Sequence, residues 1–387
     1  MNLKGLLELM MEHGASDLHL KVGTRPTLRV DGVLEPIDHP VSTTEEIDAA
    51  VEEILTPSQL ETLREEREID LAFGVPGLAR FRTNIYYQRG SLAAAIRFVP
   101  LGVPSMQELH LPASLETLAL VPRGLLLVTG TVGSGKSTTL AAMVDLLNRT
   151  QARNIITIED PVEFLHRDDR SIISQREVGQ DTPSYLEGLK HVLRQDPDVI
   201  MLGEIRDQST MSVCLMAADT GHLVLSTLHT VDAARTINRV LSFYPADQHT
   251  EVRYLLSQTL AGVVSLRLLP RKDGKGRIPA AEVCINTPTV KDYLLDPAKT
   301  NKIYEAMAEG SHTYGMQTFD QSLMKLYGEG WISLETALHH ATNATEFKLR
   351  VEGVESASDS TWRGFQNRSS EEEDRRERKS QWFKFET

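Results

Sequence analysis

Cysteine is almost missing: the 387 residues contain only Cys214 and Cys284. Neither belongs to a C-x-x-C pair, which excludes a structural zinc site built on thiolates. Two isolated thiols in so long a chain suit a reducing cytoplasm. Cys214 lies in an apolar stretch and is expected as a buried free thiol. Long hydrophobic runs are missing too. No stretch approaches the ~18 uncharged apolar residues that a membrane-spanning helix needs. The first twelve residues are interrupted by Lys4, Glu8 and Glu12, so they lack the unbroken apolar region of a secretory signal. Contact with a membrane would therefore run through partners. Basic residues are outnumbered 41 to 54, giving a formal net charge of −13. That balance favours solubility and disfavours a nucleic-acid-binding surface, as does the lack of a basic, aromatic-lined groove.

What is present divides into segments. The length exceeds one ordinary core and points to two domains with appendages. Residues 1–99 mix an amphipathic start, an acidic helical stretch near 44–54 and strand-like runs at 18–22, 27–30 and 93–99. They read as a small α+β domain. A linker over 100–113 opens with Pro100 and Pro104 and is the expected hinge. Residues 114–287 read as an α/β domain, and 288–352 as its helical continuation. There Met316, Phe319, Leu323, Leu326 and Tyr327 recur at helical spacing, and Ser333 reads as an N-cap. The tail 353–387 is Ser-, Glu- and Arg-rich and too poor in apolar residues to offset ordering entropy, so disorder is expected.

Four short apolar runs, 125–128, 155–158, 199–202 and 223–225, punctuate the second domain. Continuous runs of this length suit strands buried on both faces of a mostly parallel sheet. Each is followed at once by polar or special residues: Thr129-Gly130, Glu159-Asp160, Gly203-Glu204, and Ser226 through His229. Ligands of open α/β sheets sit at the carboxyl ends of strands, so the four ends point at one candidate site.

The first of these ends is the most specific. Gly130-Thr131-Val132-Gly133-Ser134-Gly135-Lys136-Ser137 fits G-x-x-x-x-G-K-[ST], and Thr138 follows. An apolar strand precedes it. The next segment carries Leu140, Met143, Val144 and Leu147 on one helical face. Glycines let backbone N–H groups approach phosphates, and a helix N-terminus adds partial positive charge. Lys136 is expected to reach the β- and γ-phosphates of ATP, and Ser137 to bind Mg²⁺.

Hydrolysis of a metal-bound triphosphate also needs carboxylates near the metal and the attacking water. Glu204, after the third run, is the candidate for the magnesium shell. Asp198 precedes that run, and six extended residues span about 20 Å, so it cannot share the site. For the carboxylate near the water, Glu163, Glu159 and Asp160 remain open. Downstream, Ser184 with Glu187 reads as a capping box for a helix carrying Leu186, Leu189 and Leu193. His222 and His229 bracket the fourth run, and His229, at its carboxyl end, is placed to approach the γ-phosphate and sense its loss. Arg194 and Arg206 suit either phosphate or ion-pair contacts. No histidine has metal-ligand spacing.

These motifs resemble the hexameric secretion-type ATPases, and within them the PilT/PilU family of type IV pilus retraction motors. The resemblance runs from about Gly14 to Val351. It takes in Ala15-Ser-Asp-Leu-His-Leu20, Ala79-Arg-Phe-Arg-Thr-Asn84, the loop 130–137, the Asp box 158–163, the Walker B segment 196–207 and the His box 221–229. It implies a PAS-like N-terminal domain joined to a RecA-like ATPase domain. It also implies a homohexamer, Glu163 as the catalytic carboxylate, Glu204 as the Walker B glutamate, and Arg80, Arg82 and Arg97 as nucleotide-binding arginines of the N-terminal domain. The implied activity is ATP hydrolysis driving pilus retraction (twitching motility). The implied partners are a PilC-like inner-membrane platform protein and a paralogous PilT or PilU ring, and the implied location is the cytoplasmic side of that membrane. Two departures stand out. Val132 replaces a threonine, and Thr289-Val-Lys-Asp-Tyr-Leu294 replaces the family's Ala-Ile-Arg-Asn-Leu signature. The second leaves principal and accessory PilU-like motors both open.

Overall fold

A computed structural model describes residues 2–30, 32–99 and 102–352. The expected disordered tail lies outside the described residues, as do Pro100 and Leu101 of the expected linker. The chain forms two compact units. One is Met1–Val103 together with Pro161–His166; the other is Pro104–Asp160 together with the chain from Arg167 onward.

The first unit holds β1 (Asp17–Lys21), β2 (Thr27–Val30), β3 (Val33–Pro36), β4 (Glu68–Val75), β5 (Ala79–Gln88) and β6 (Ser91–Val99). They form one sheet in the order β3-β2-β1-β6-β5-β4, antiparallel throughout. Three helices accompany it, Leu3–Glu12, Thr44–Ile54 and Pro57–Glu66. The last two start in capping boxes, Thr43 with Glu46 and Thr56 with Gln59, so two otherwise orphaned N–H groups are satisfied at each helix start. Alternation along β5 buries Ala79, Phe81, Thr83 and Ile85 and turns Arg80 and Arg82 the other way. Phe81, Ile85 and Ile96 join Leu7, Met10, Leu18, Leu28 and Ile47 in one core.

The second unit holds β7 (Gly124–Gly130), β8 (Asn154–Glu159), β9 (Ile172–Glu177), β10 (Val199–Leu202), β11 (Leu223–Leu228), β12 (Leu260–Pro270) and β13 (Arg277–Ile285). Their order is β13-β12-β7-β11-β10-β8-β9. All neighbours are parallel except β13, which runs antiparallel along β12. The four apolar runs are the central strands β7, β8, β10 and β11, buried on both faces as a parallel sheet requires. β9 and β13 are edge strands with polar residues. β12 continues directly from the helix His249–Thr259 at Leu260, and its glycine, Gly262, comes two residues into the strand, where the register with β7 shifts.

The helix Lys136–Thr150 buries Leu140, Met143, Val144 and Leu147 as its spacing predicts. Each such side chain contributes about 1.5–3 kcal/mol relative to exposure. Cys214 is a buried free thiol, and burial pushes its pKa up to about 12. Ser184 caps the helix Tyr185–Val192 by accepting from the Glu187 N–H at 3.2 Å. The reciprocal half of the expected box is missing, because the Glu187 carboxylate takes Lys190 at 2.8 Å instead. The buried face of this helix is Gly188, Leu189 and Val192; Leu186 and Leu193 are only half-buried. In the C-terminal part, Phe319, Leu323 and Leu326 pack with Ile332, Ala337 and Phe347, and Ser333 caps the helix Leu334–His340.

Candidate active site

The glycine loop follows β7 without interruption. Gly130 has φ +144, and a Cβ there would lie 2.4 Å from Ser134 Oγ and 2.6 Å from the Leu266 carbonyl oxygen. Only glycine fits, because the loop must fold back against β12 at this point. Gly133 and Gly135 take positive φ values of 74 and 97, and Gly135 caps the helix start in the left-handed region. Val132, at 87% exposure, projects into solvent. Its backbone alone shapes the loop, so the departure from threonine removes no buried contact. Thr131, Gly133 and Ser137 are exposed, Thr138 is half-buried, and Ser134 is buried.

Lys136 is only 8% exposed. Its ammonium donates to the carbonyl oxygens of Gly130 and Thr131 at 3.0 and 3.1 Å. A third contact reaches His229 Nδ1 at 3.4 Å. On the other side of the imidazole, Nε2 lies 3.3 Å from Glu204 Oε1. Glu204 Oε2 in turn accepts from Arg206 Nε at 2.8 Å. The four side chains form one continuous polar chain across the ends of β7, β11 and β10. An ammonium can only donate, so Nδ1 accepts and the neutral ring carries its proton on Nε2, the nitrogen that faces the Glu204 carboxylate.

The register of the sheet produces this meeting. Thr129 of β7 lies opposite Leu228 of β11, and Leu202 of β10 lies opposite Ser226 of β11. Each strand end therefore delivers its next residues to the same edge. Gly203 is locked in place: its N–H bonds the Ile158 carbonyl at 2.9 Å, and its carbonyl accepts from Thr227 Oγ1 at 2.7 Å. Asp198 lies at the opposite end of β10, where its carboxylate accepts the Asn154 N–H at 2.8 Å. His222 likewise sits at the amino end of β11 and bonds the Ala217 carbonyl at 2.9 Å.

The carboxylates left open by the sequence differ in surroundings. Glu159 is buried, and its Oε1 accepts from Thr157 Oγ1 at 2.7 Å and Gln175 Nε2 at 3.1 Å. Asp160 and Glu163 are exposed. Glu163 belongs to the segment 161–166 that is part of the first unit. Arg194 contacts His191 at 3.1 Å, away from the polar chain.

Within the first unit, Arg80, Arg82 and Arg97 share the sheet face opposite Phe81 and Ile96. Arg82 and Arg97 are directly paired across β5 and β6, and Arg97 is paired with Asp17 on β1. Asp17 accepts from Arg97 Nε at 2.8 Å and from Ser16 Oγ at 2.7 Å. Burial pushes its carboxyl up, but those hydrogen bonds and the guanidinium outweigh burial and hold it below the ordinary value. Although gripped at Nε, the Arg97 side chain stays largely exposed. Asp17 falls within the 15–20 motif, but the sequence assigns it no role.

Among the described residues no three His, Cys, Asp or Glu side chains converge as a metal site. Magnesium bound with phosphates needs only one or two protein oxygens. The exposed Ser137 hydroxyl and the Glu204 carboxylate, which keeps spare lone pairs beside its two contacts, are hard donors that fit it.

Comparison with known proteins decides the family. The profile of the type II/IV secretion system protein family matches residues 93–359. The type IV pilus retraction ATPase PilT of Pseudomonas aeruginosa is 43% identical over 341 residues, 88% of this chain and 98% of that protein. The chain belongs to the type II/IV secretion ATPases, in the PilT/PilU family. The type IV pilus ATPase PilU of the same organism is 40% identical over 362 residues, 93% of this chain and 94% of PilU. A crystal structure of the pilus retraction motor PilT with bound ADP aligns at TM-score 0.83 and 41% identity, covering 89% of this chain and 98% of that one. The PilT/PilU resemblance read from the motifs is thereby borne out, as is an α/β fold with a mostly parallel ATPase sheet. No helix among the described residues is long and apolar enough to cross a membrane.

Proposed function

We propose that this protein hydrolyses ATP to ADP and phosphate and uses the energy to retract type IV pili, as a principal or PilU-like accessory motor. The observation that carries this is the unbroken chain from the P-loop lysine through His229 to Glu204, at 3.4 and 3.3 Å. It ties the group that holds phosphate to the carboxylate that faces the metal. The likeness to PilT and PilU across nearly the whole chain supports the biological role.

In this reading the backbone N–H groups of 130–138 and the N-terminus of the helix Lys136–Thr150 cradle the phosphates. Lys136 neutralises the β- and γ-oxygens. Ser137 and Glu204 hold Mg²⁺, which supplies charge neutralisation on the terminal phosphate when bound. Glu163 takes the proton of the attacking water. His229 reports the γ-phosphate: while Lys136 turns to phosphate its hold on Nδ1 weakens, and after phosphate leaves it returns. Arg80, Arg82 and Arg97 bind nucleotide charge. Six identical chains form the working ring, docked on a PilC-like platform protein at the cytoplasmic face of the inner membrane, alone or beside a paralogous ring.

The test is a gene deletion with pili counted and twitching scored. Excess pili without movement supports retraction; loss of all pili overturns it in favour of extension.

A further inference from the structure

Tyr185 has no part in the chemistry so far, yet its hydroxyl lies at the centre of the strand ends. A Cβ built on Gly203 would sit 2.8 Å from the Tyr185 oxygen and 3.5 Å from the Ile158 carbonyl oxygen. The phenol thus reaches the point where β8 and β10 end, directly over the backbone that carries Glu204. Its ring packs against the hydrophobic core of the unit, which fixes where the hydroxyl points. No hydrogen bond to that hydroxyl is formed by the described residues. The oxygen is not among the fully buried polar atoms, so water can reach it, and the charges that act on it are the carboxylates of Asp160, Glu204 and Glu159 and the guanidinium of Arg206.

We propose that Tyr185 is a further catalytic residue, whose hydroxyl donates a hydrogen bond to the water that attacks the terminal phosphate of ATP. This rests on the ATPase reading above. A water held here is oriented by one donor, Tyr185, and by carboxylate acceptors on its other side. Its oxygen forms the new bond to phosphorus, the bond to the ADP oxygen breaks, and its proton passes to the carboxylate base. Tyr185 keeps its own proton throughout. A phenol, whose ordinary pKa is about 10, is a neutral donor near neutral pH. Gly203 belongs to the same device, because any side chain there would displace the hydroxyl.

The experiment uses the full chain and four proteins: wild type, Tyr185→Phe, Gly203→Ala and the double variant. Steady-state phosphate release gives kcat and KM, and calorimetry with ADP gives affinity. Tyr185→Phe should lower kcat about tenfold while KM and ADP affinity stay within about twofold, the scale of one lost hydrogen bond to a reacting group. Gly203→Ala should damage kcat in the wild-type background and add little once the hydroxyl is gone. Wild-type kcat in Tyr185→Phe overturns the proposal, and so does a loss confined to KM or ADP affinity. Equal damage by Gly203→Ala in both backgrounds overturns it as well. No phosphate release from the wild type would instead overturn the ATPase reading on which it stands.

Discussion

The Lys136 ammonium and the His229 imidazole lie 3.4 Å apart although 93 positions separate them in the chain. The contact makes His229 a bridge between the phosphate loop and Glu204. Removing it leaves the loop backbone and the lysine in place but disconnects the two halves. His229→Ala should therefore cut kcat about 10–100-fold, the scale of charge-assisted hydrogen bonds, while ADP affinity changes less than about threefold. Phosphate release and ADP calorimetry on the same preparation check this. An equal loss in both would make His229 a binding residue.

Lys136→Ala removes the donor that holds the Gly130 and Thr131 carbonyl oxygens and, in the proposed mechanism, the charge that meets phosphate. ADP affinity should fall at least ~30-fold, in line with truncating one partner of a buried charge pair. Calorimetry reads it directly, and near-normal binding would mean that the loop does not hold nucleotide.

Gly130→Ala attacks the same loop through its backbone. The new methyl would meet the Leu266 carbonyl at 2.6 Å at a φ of +144, which other residues rarely adopt. Strain and overpacking should cost about 1–3 kcal/mol of stability and abolish nucleotide binding. Urea unfolding is the measurement, and a variant with unchanged midpoint and affinity would contradict the described loop.

The central strands and the phosphate loop were legible because their physics is local. A strand buried on both faces must be apolar throughout, and G-x-x-x-x-G-K-S dictates its own turn. The edge strands β9 and β13 were not legible, since Gln175, Arg277 and Glu282 interrupt the apolar signal. β12 was hidden by its seamless join to a helix. In the site, residue types at strand ends pointed to Lys136, Glu204 and His229, but their contacts depend on register, which composition does not encode. Tyr185 and the role of Asp17 were not legible for another reason: what each meets, the Gly203 backbone and the Arg97 guanidinium, is brought to it by packing between distant segments. The expected capping box at Ser184 failed in half because Glu187 found a lysine one turn on.

In the proposed mechanism three carboxylates are candidates to take the proton of the attacking water, and their surroundings separate them. Glu159 is buried and already bonded to Thr157 and Gln175, so Glu159→Gln should mainly disturb the sheet edge. Glu163 is exposed. Glu163→Gln should leave ADP affinity unchanged and lower kcat at least ~100-fold, the range of general-base catalysis. Wild-type turnover in this variant, together with a comparable loss in Asp160→Asn, would transfer the role to Asp160.

Glu282 ties the start of the helix Ala233–Ser242, four residues beyond His229, to β13: its Oε1 accepts the Ala233 N–H at 2.8 Å. The carboxyl is almost wholly buried, and burial raises its pKa from 4.5 to about 8. The Ala233 N–H and Arg267 oppose the rise, whereas Asp232 and Asp320 add to it. The folded chain therefore keeps a proton that the unfolded chain releases between about pH 4.5 and 8. More protons bound in the folded state means that stability falls as pH rises through this window. The contribution is complete below the unfolded value and lost above the folded one. Glu282→Gln keeps an oxygen for the Ala233 N–H but cannot titrate. Its urea midpoint should fall less than that of the wild type between pH 6 and pH 9, taken as roughly the two sides of the folded transition. Parallel pH dependences in the two proteins would mean that Glu282 is ionised in the folded state at neutral pH, held by Arg267 more tightly than its burial opposes.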